Sequence, residues 1–188
     1  MKNEYELVVE VLEGNHGSFE ILLQPYRKGI LNMAYRMTGN IEEAKEVCQE
    51  ALIKIYRHLD KFKKEKSLKN WIYTITMNST YDYLREKKKY KDLVERQKSL
   101  PVDTGLDPEK KLVIKELKAK IDVCLKTLSP KEKSVFLLRD GEGFSVKETS
   151  GILGCSSMSV RTHLSRARQK IRKQFEKIYT LNCGEVKQ

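Results

Sequence analysis

Residues 143–173 read GFSVKETSGILGCSSMSVRTHLSRARQKIRK, a stretch that spells out two helices joined by a tight turn. Ser145 can cap the backbone N–H of Glu148 while Glu148 reaches back, a reciprocal pair that starts a helix. Gly154, the residue type that enters the left-handed conformation without steric penalty, closes it. Ser156 and Ser157 then offer N-caps for a second helix. Along that helix Val160, Leu164, Ala167, Ile171 and Phe175 recur in steps of four, three, four and four, which is one buried stripe. Arg161, Thr162, Ser165, Arg166, Arg168, Gln169, Arg172 and Lys173 fall on the other side. A short helix, a glycine turn and a second helix with a basic, hydrogen-bonding face make a helix-turn-helix, whose second helix enters the major groove of DNA. An ordinary solvated face would mix acids with bases, and this one carries no acid before Glu176.

Working outward, Ser129-Pro130-Lys131-Glu132 repeats the capping device, followed by apolar Val135, Phe136 and Leu138 and a stop at Gly141. Asp107-Pro108 opens the helix before it as N-cap and first position, with Val113, Leu117, Ile121, Cys124 and Leu128 as its stripe. Residues 89–107 lose periodicity and contain Pro101 and Gly105, which marks a linker. Upstream, Leu7, Val8, Val11 and Leu12 share one face of a first helix that stops at Gly14-Asn15. Ser18 to Met37 continues with Phe19, Leu22, Tyr26, Ile30, Met33 and Met37 at helical spacing. Pro25 should kink that helix or displace its start, and Gly39 ends it.

Asn40 caps the most strongly patterned helix. Ile41, Ala44, Val47, Cys48, Ala51, Leu52, Ile55, Tyr56 and Leu59 form a continuous apolar stripe opposite Glu42, Glu43, Glu46, Gln49, Glu50 and Lys54. That acidic, Gln-bearing face in a basic chain is either plain solvated surface or a docking face for a protein. After the basic loop at 62–70, a helix led by Trp71 puts Leu68, Ile72 and Ile75 toward a core. Its remainder mixes Tyr73, Asn78, Tyr81, Tyr83 and Arg85, a pattern suited to stacking single-stranded bases while cations follow the phosphates. The alternative is that Trp71 and the tyrosines are core, which is the favoured reading for Trp71. No segment reads as strand. The expected fold is all-α, with two small helical domains joined by a flexible linker: residues 1–90, a linker at 91–107, residues 108–178, and a polar tail at 179–188.

At 188 residues the chain can bury one medium core or two small ones. Its net charge of +11 points to a polyanionic partner. The charge is clustered, with +7 between Lys61 and Lys91 and +6 between Ser156 and Lys177. Cys48, Cys124, Cys155 and Cys183 are dispersed, and His16, His58 and His163 stand at no metal-ligand spacing to them, so free thiols are expected and no metal or cofactor. The charged N-terminus has no apolar run for a signal peptide or membrane span, which points to the cytoplasm.

Two blocks carry a family resemblance. YRMTGNIEEAKEVCQEALIKIYRHLDKF followed by WIYTITMNSTYDYLREKKK resembles the sigma-2 domain of extracytoplasmic-function RNA polymerase sigma factors, and LKTLSPKEKSVFLLRDGEGFSVKETSGILGCSSMSVRTHLSRARQKIRK resembles their sigma-4 domain. The resemblance spans roughly residues 19–175. It implies a subunit that binds core RNA polymerase and chooses promoters through minus-10 and minus-35 elements. Glu46, Gln49 and Glu50 would then meet the clamp helices of the largest polymerase subunit, and the second domain the flap region. Lys63, Lys64, Lys66, Lys69, Asn78, Tyr81, Asp82 and Arg85 would meet the melted minus-10 element. Ser157, Arg161, Thr162, Ser165, Arg166, Arg168 and Arg172 would lie at the minus-35 element, Arg161 and Arg166 being the leading base readers because Arg pairs bidentately with guanine. An anti-sigma partner is implied too. The chain departs from the family pattern in Ala44-Lys45-Glu46, where acidic Ala-Glu-Asp is frequent, in Thr149-Ser150 for a frequent Ile-Ala pair, and in Ser165 for a larger residue.

Two other classes compete. A conventional repressor or activator would share the C-terminal motif but bind a palindromic duplex unaided. A nucleic-acid enzyme would need a catalytic constellation, and the sequence has no paired carboxylates at metal spacing, no Ser or Cys beside His and no phosphate-cradling glycine loop.

Overall fold

The computed structural model describes residues 3–94 and 120–184, which contain helices and no strand. Helices α1 (Glu4–Leu12), α2 (His16–Thr38), α3 (Ile41–Arg57) and α4 (Leu68–Val94) form the first lobe, with a short 3-10 turn at Leu59–Lys61. The second lobe holds α5 (the described end of a helix, residues 120–126), α6 (Pro130–Phe136), a π-type turn at Leu137–Gly141, α7 (Val146–Leu153) and α8 (Ser157–Gly184).

The punctuation is where the sequence places it. Asn40 Oδ1 accepts the backbone N–H groups of Glu42 and Glu43, and Gly39 takes the left-handed conformation at φ 77°. Ser129–Glu132 and Ser145–Glu148 are both closed capping boxes. A third, Asn3–Glu6, starts α1. Gly154 closes α7 at φ 60°, and the Ser156 hydroxyl accepts the Ser159 N–H to start α8. Glu132 also reaches α8, where Lys170 Nζ donates to it at 2.7 Å. That hydrogen bond, together with those to Ser129, holds the Glu132 carboxyl below its ordinary range despite burial.

Several expectations are corrected in detail. Helix α2 begins at His16 and runs through Pro25. Pro25 lies on the exposed side with Ile21, whose carbonyl loses its hydrogen-bond partner there. Leu12, Ile41 and Tyr56 leave their stripes: they are 54%, 41% and 41% exposed. Tyr56 instead packs edge-on against Phe19 and hydrogen-bonds His16 Nδ1 at 2.8 Å. Helix α4 continues past residue 90 to Val94, and α8 carries the backbone of residues 179–184, expected as tail, in helical form. The rest of the linker, the helix start at Asp107-Pro108, and Val113 and Leu117 lie outside the described residues.

The lobes are not separate bodies. One apolar core runs from Val8, Leu22, Ile30, Met33, Ile72 and Met77 into Leu125, Leu138, Phe144 and Ile152. Sequence periodicity identified each lobe's own stripe but not the second face that Tyr73 supplies. Tyr73 is buried, its ring meeting Phe144 edge-on at 5.0 Å.

Thr149 is fully buried on α7 and its hydroxyl has no hydrogen-bond partner. A buried orphan hydroxyl costs about 1–3 kcal/mol. Thr149→Val keeps the shape and removes the orphan, so it is expected to stabilise the chain by about 1 kcal/mol. Thermal unfolding should show Tm raised by about 2–4 °C; a lowered Tm would mean that the hydroxyl is satisfied.

Candidate functional site

Three surfaces hold the residues singled out from the sequence. The first is the outer face of α3, fixed by Ala44, Val47, Ala51 and Ile55 buried behind it. Glu46, Gln49 and Glu50 are all exposed there. Glu50 pairs with Lys54 at 3.4 Å, and Lys54 reaches Asp82 of α4 at 4.0 Å, so this face adjoins the next one. Tyr83 packs beneath it; burial, with the Glu43 and Glu46 carboxylates beside it, pushes its hydroxyl up to about 12. Beside Gln49 runs a shallow groove of about 390 Å³ lined by Arg27, Leu31, Leu52 and Ile53. Ile53 is 38% exposed. Sequence reading missed Ile53, although an apolar residue on the polar side of a stripe was the available signal.

The second surface is the loop before α4 and that helix's outer side. Lys63, Lys64 and Lys66 are exposed, and Lys64 Nζ lies 4.5 Å over the Tyr5 ring. Trp71 is half-buried and packs on Phe62 at 5.6 Å. Asn78 and Arg85 are exposed, and Asp82 pairs with Arg85 at 3.5 Å.

Two of the residues expected here turn toward the other lobe. Lys69 Nζ donates to the Glu142 carbonyl at 3.0 Å and sits 4.5 Å over the Phe144 ring. The Tyr81 hydroxyl donates to Ser134 Oγ at 2.7 Å. Tyr73, which the sequence pattern grouped with the stacking aromatics, is core: its hydroxyl donates to Glu142 Oε2 at 2.5 Å. Burial and that carboxylate both push its pKa above the ordinary tyrosine range. Gly29 makes room for this pair, since a Cβ there would stand 2.0 Å from the Tyr73 hydroxyl.

The third surface is α8. Val160, Leu164 and Ala167 are buried, which forces Arg161, Thr162, Ser165 and Arg166 outward. Ser157 is half-buried in the first turn. Arg168 is held bidentately by Asp140 at 2.9 and 2.6 Å, and Arg172 by Glu176 at 2.9 Å. Among the described residues Arg161 and Arg166 are exposed and make no ion pair. Met158 was missed. It is 68% exposed, one turn before Arg161 and Thr162 on the same face.

The thiols behave as packed groups. Cys48 and Cys124 are free, burial pushes the Cys48 thiol up to about 11 and raises that of Cys124, and Cys155 is free as well. Cys183 lies outside the described side chains. Among the described residues no cluster of His, Cys, Asp and Glu could hold a metal, and no helix is long and apolar enough to cross a membrane.

Comparisons with known proteins agree with this architecture. The Sigma-70 region 2 family matches residues 22–90, and Sigma-70 region 4 matches residues 118–171. The chain is 31% identical to the ECF RNA polymerase sigma factor SigW of Bacillus subtilis, over 89% of this chain and 94% of that one. It is 27% identical to the RNA polymerase sigma-H factor of Pseudomonas aeruginosa, over 93% and 95%. Among solved structures, the sigma factor RpoE of Bartonella quintana, crystallised with the anti-sigma factor NepR, superposes with TM-score 0.70 at 21% identity over 84% of this chain and 96% of that one. CnrH, solved with the cytosolic domain of CnrY, gives TM-score 0.68 at 19% identity over 92% and 97%. Helices α2–α4 carry the region 2 match and helices α5–α8 the region 4 match, in one chain and in that order: this protein belongs to the extracytoplasmic-function RNA polymerase sigma factors.

Proposed function

We propose that the chain is a cytoplasmic sigma factor that performs no covalent chemistry itself. It lends core polymerase promoter-specific binding energy and register, while the polymerase makes the phosphodiester bonds. The observation that carries the assignment of roles is the segregation of chemistry among three helices: an acidic, Gln-bearing face on α3, a basic-aromatic face on α4 and an arginine face on α8.

Residues 1–90 form the unit that binds polymerase and reads the minus-10 element; residues 108–178 read the minus-35 element, with 91–107 between them and 179–188 beyond. Glu46, Gln49 and Glu50, with the groove beside Ile53, dock on the clamp helices of the largest polymerase subunit, and the second unit lies by the flap. Lys63, Lys64 and Lys66 track phosphates, while Asn78, Tyr81, Asp82 and Arg85 contact melted bases, with Lys69 at the rim. Bases bound better single-stranded than paired favour strand opening. Helix α8 enters the major groove with Ser157, Arg161, Thr162, Ser165 and Arg166 nearest the bases, and Met158 is placed to meet a thymine methyl. Arg168 and Arg172, already tethered to carboxylates, contribute at the phosphates. The similar solved sigma factor RpoE is bound to the anti-sigma factor NepR, and an anti-sigma factor is the expected regulator here.

Reversing charge on the α3 face tests the docking role. The double variant E46K/E50K is expected to weaken co-elution with core polymerase at least tenfold while leaving the helical circular-dichroism signal unchanged. Undiminished co-elution would remove this face from the polymerase contact.

A further inference from the structure

The basic loop ahead of α4 is held at both ends and from one side. At its start Phe62 packs on Trp71, ring centroids 5.6 Å apart. At its end Ser67 Oγ accepts the Asn70 N–H at 3.3 Å. Between them the Lys66 N–H donates to the Lys63 carbonyl at 2.9 Å, which closes a tight turn. Lys63, Lys64 and Lys66 are exposed, and among the described residues none of the three makes an ion pair. Lys64 lies over a ring instead, its Nζ 4.5 Å from the centroid of Tyr5.

Tyr5 comes from α1, which carries none of the residues proposed to touch polymerase or DNA. Its neighbours are all committed. The Asn3–Glu6 capping box fixes the first turn, and Leu7, Val8 and Val11 are buried. Glu4 accepts a hydrogen bond from the Tyr26 hydroxyl of α2. With the backbone pinned on either side, the Tyr5 ring stands against the loop while staying 39% exposed. Packing asks little of so open a position, and leucine would cover similar surface. What tyrosine adds is a ring face that attracts an ammonium group. The ring is also a stiff platform, with two torsions, under one of the side chains that loses most rotamer freedom when it is ordered.

We propose that Tyr5 is a positioning residue for promoter reading: its ring holds the Lys64 ammonium in place before the melted strand arrives. This rests on the phosphate-tracking role given to Lys64 above. A lysine already held over a ring has lost part of its freedom before it meets a phosphate, so less is lost on binding. A carboxylate would hold it too, but would also neutralise it. The neutral ring leaves the full charge available, and a phosphate oxygen can approach from the open side without displacing an anion.

The test is a double-mutant cycle with the full chain and core polymerase, on a promoter that the unsubstituted chain transcribes. Y5L, K64A, Y5L/K64A and the ring-preserving Y5F are compared. The readout is the holoenzyme concentration that converts half the template into heparin-resistant open complexes. Y5L should need about two- to fivefold more holoenzyme, the factor that an exposed cation–ring contact supplies. K64A should lose at least as much, Y5F should match the unsubstituted chain, and Y5L/K64A should be no worse than K64A alone. Additive losses would overturn the proposal, since Tyr5 would then act on folding or DNA without Lys64. A merely structural loss in Y5L is caught the same way, because it would persist in the K64A background. Y5L or K64A indistinguishable from the unsubstituted chain, or Y5F as poor as Y5L, would overturn it as well. An unsubstituted chain that gives no open complex with core on any promoter would remove the promoter-reading role itself, and Tyr5 with it.

Discussion

Replacing Arg166 with alanine is expected to reduce transcription from a cognate promoter about tenfold to hundredfold, and Arg161→Ala to do the same at a different base. A good bidentate arginine–guanine pair supplies about 1–3 kcal/mol of discrimination, and each 1.4 kcal/mol is a factor of ten. The two residues stand apart from their neighbours on α8 because both forks are free in the folded chain, whereas Arg168 and Arg172 are already bonded to Asp140 and Glu176. A free guanidinium can meet a base without first breaking a protein contact. Arg168→Ala is therefore expected to lose threefold or less, evenly across promoter sequences. Transcription from a promoter and its single-base variants distinguishes these outcomes: R166A should become indifferent to one minus-35 position that the parent chain reads. Equal, sequence-independent losses at 161, 166 and 168 would make all three phosphate contacts.

The second large effect is structural. Gly29→Ala in α2 should destabilise the chain by about 1–3 kcal/mol, although alanine is the better helix former by about 1 kcal/mol. The added Cβ would stand 2.0 Å from the Tyr73 hydroxyl and 3.2 Å from Glu142 Oε2. Tyr73 has little room to retreat, since its ring is buried against Phe144 and its hydroxyl is held by Glu142. Adding Tyr73→Phe deletes the clashing oxygen, so the double variant should be more stable than G29A alone, a non-additivity that urea unfolding measures. Simple additivity would mean that Tyr73 does not pack on Gly29.

The same residue marks where sequence reasoning stops. Helix punctuation was legible because it is local: a capping box needs only two residues three apart in the chain, and Ser129, Ser145, Asn40 and Gly154 all behave as their types dictate. The arginine face of α8 was legible for the same reason, since a buried stripe fixes what lies opposite. The sequence pattern puts Tyr73, Lys69 and Tyr81 on an open face because their hydrogen-bond partners, Glu142 and Ser134, lie 53 to 73 residues away in sequence. Periodicity reports that a side chain has one apolar side, and it is silent about which distant surface arrives to cover it. Thr149 is the intermediate case. Its need for a hydrogen-bond partner could be read from its position, and only the packing shows that the need is unmet.

The decisive measurement is transcription in vitro with sigma-free bacterial core polymerase, the purified chain and fragmented genomic DNA, with start sites mapped. A sigma factor should co-elute with core and produce discrete new starts preceded by a shared pair of elements about 25 base pairs apart. A chain that leaves core polymerase silent, yet by itself shifts a palindromic duplex with half-sites about one helical turn apart, would contradict the sigma role and put a conventional repressor or activator in its place.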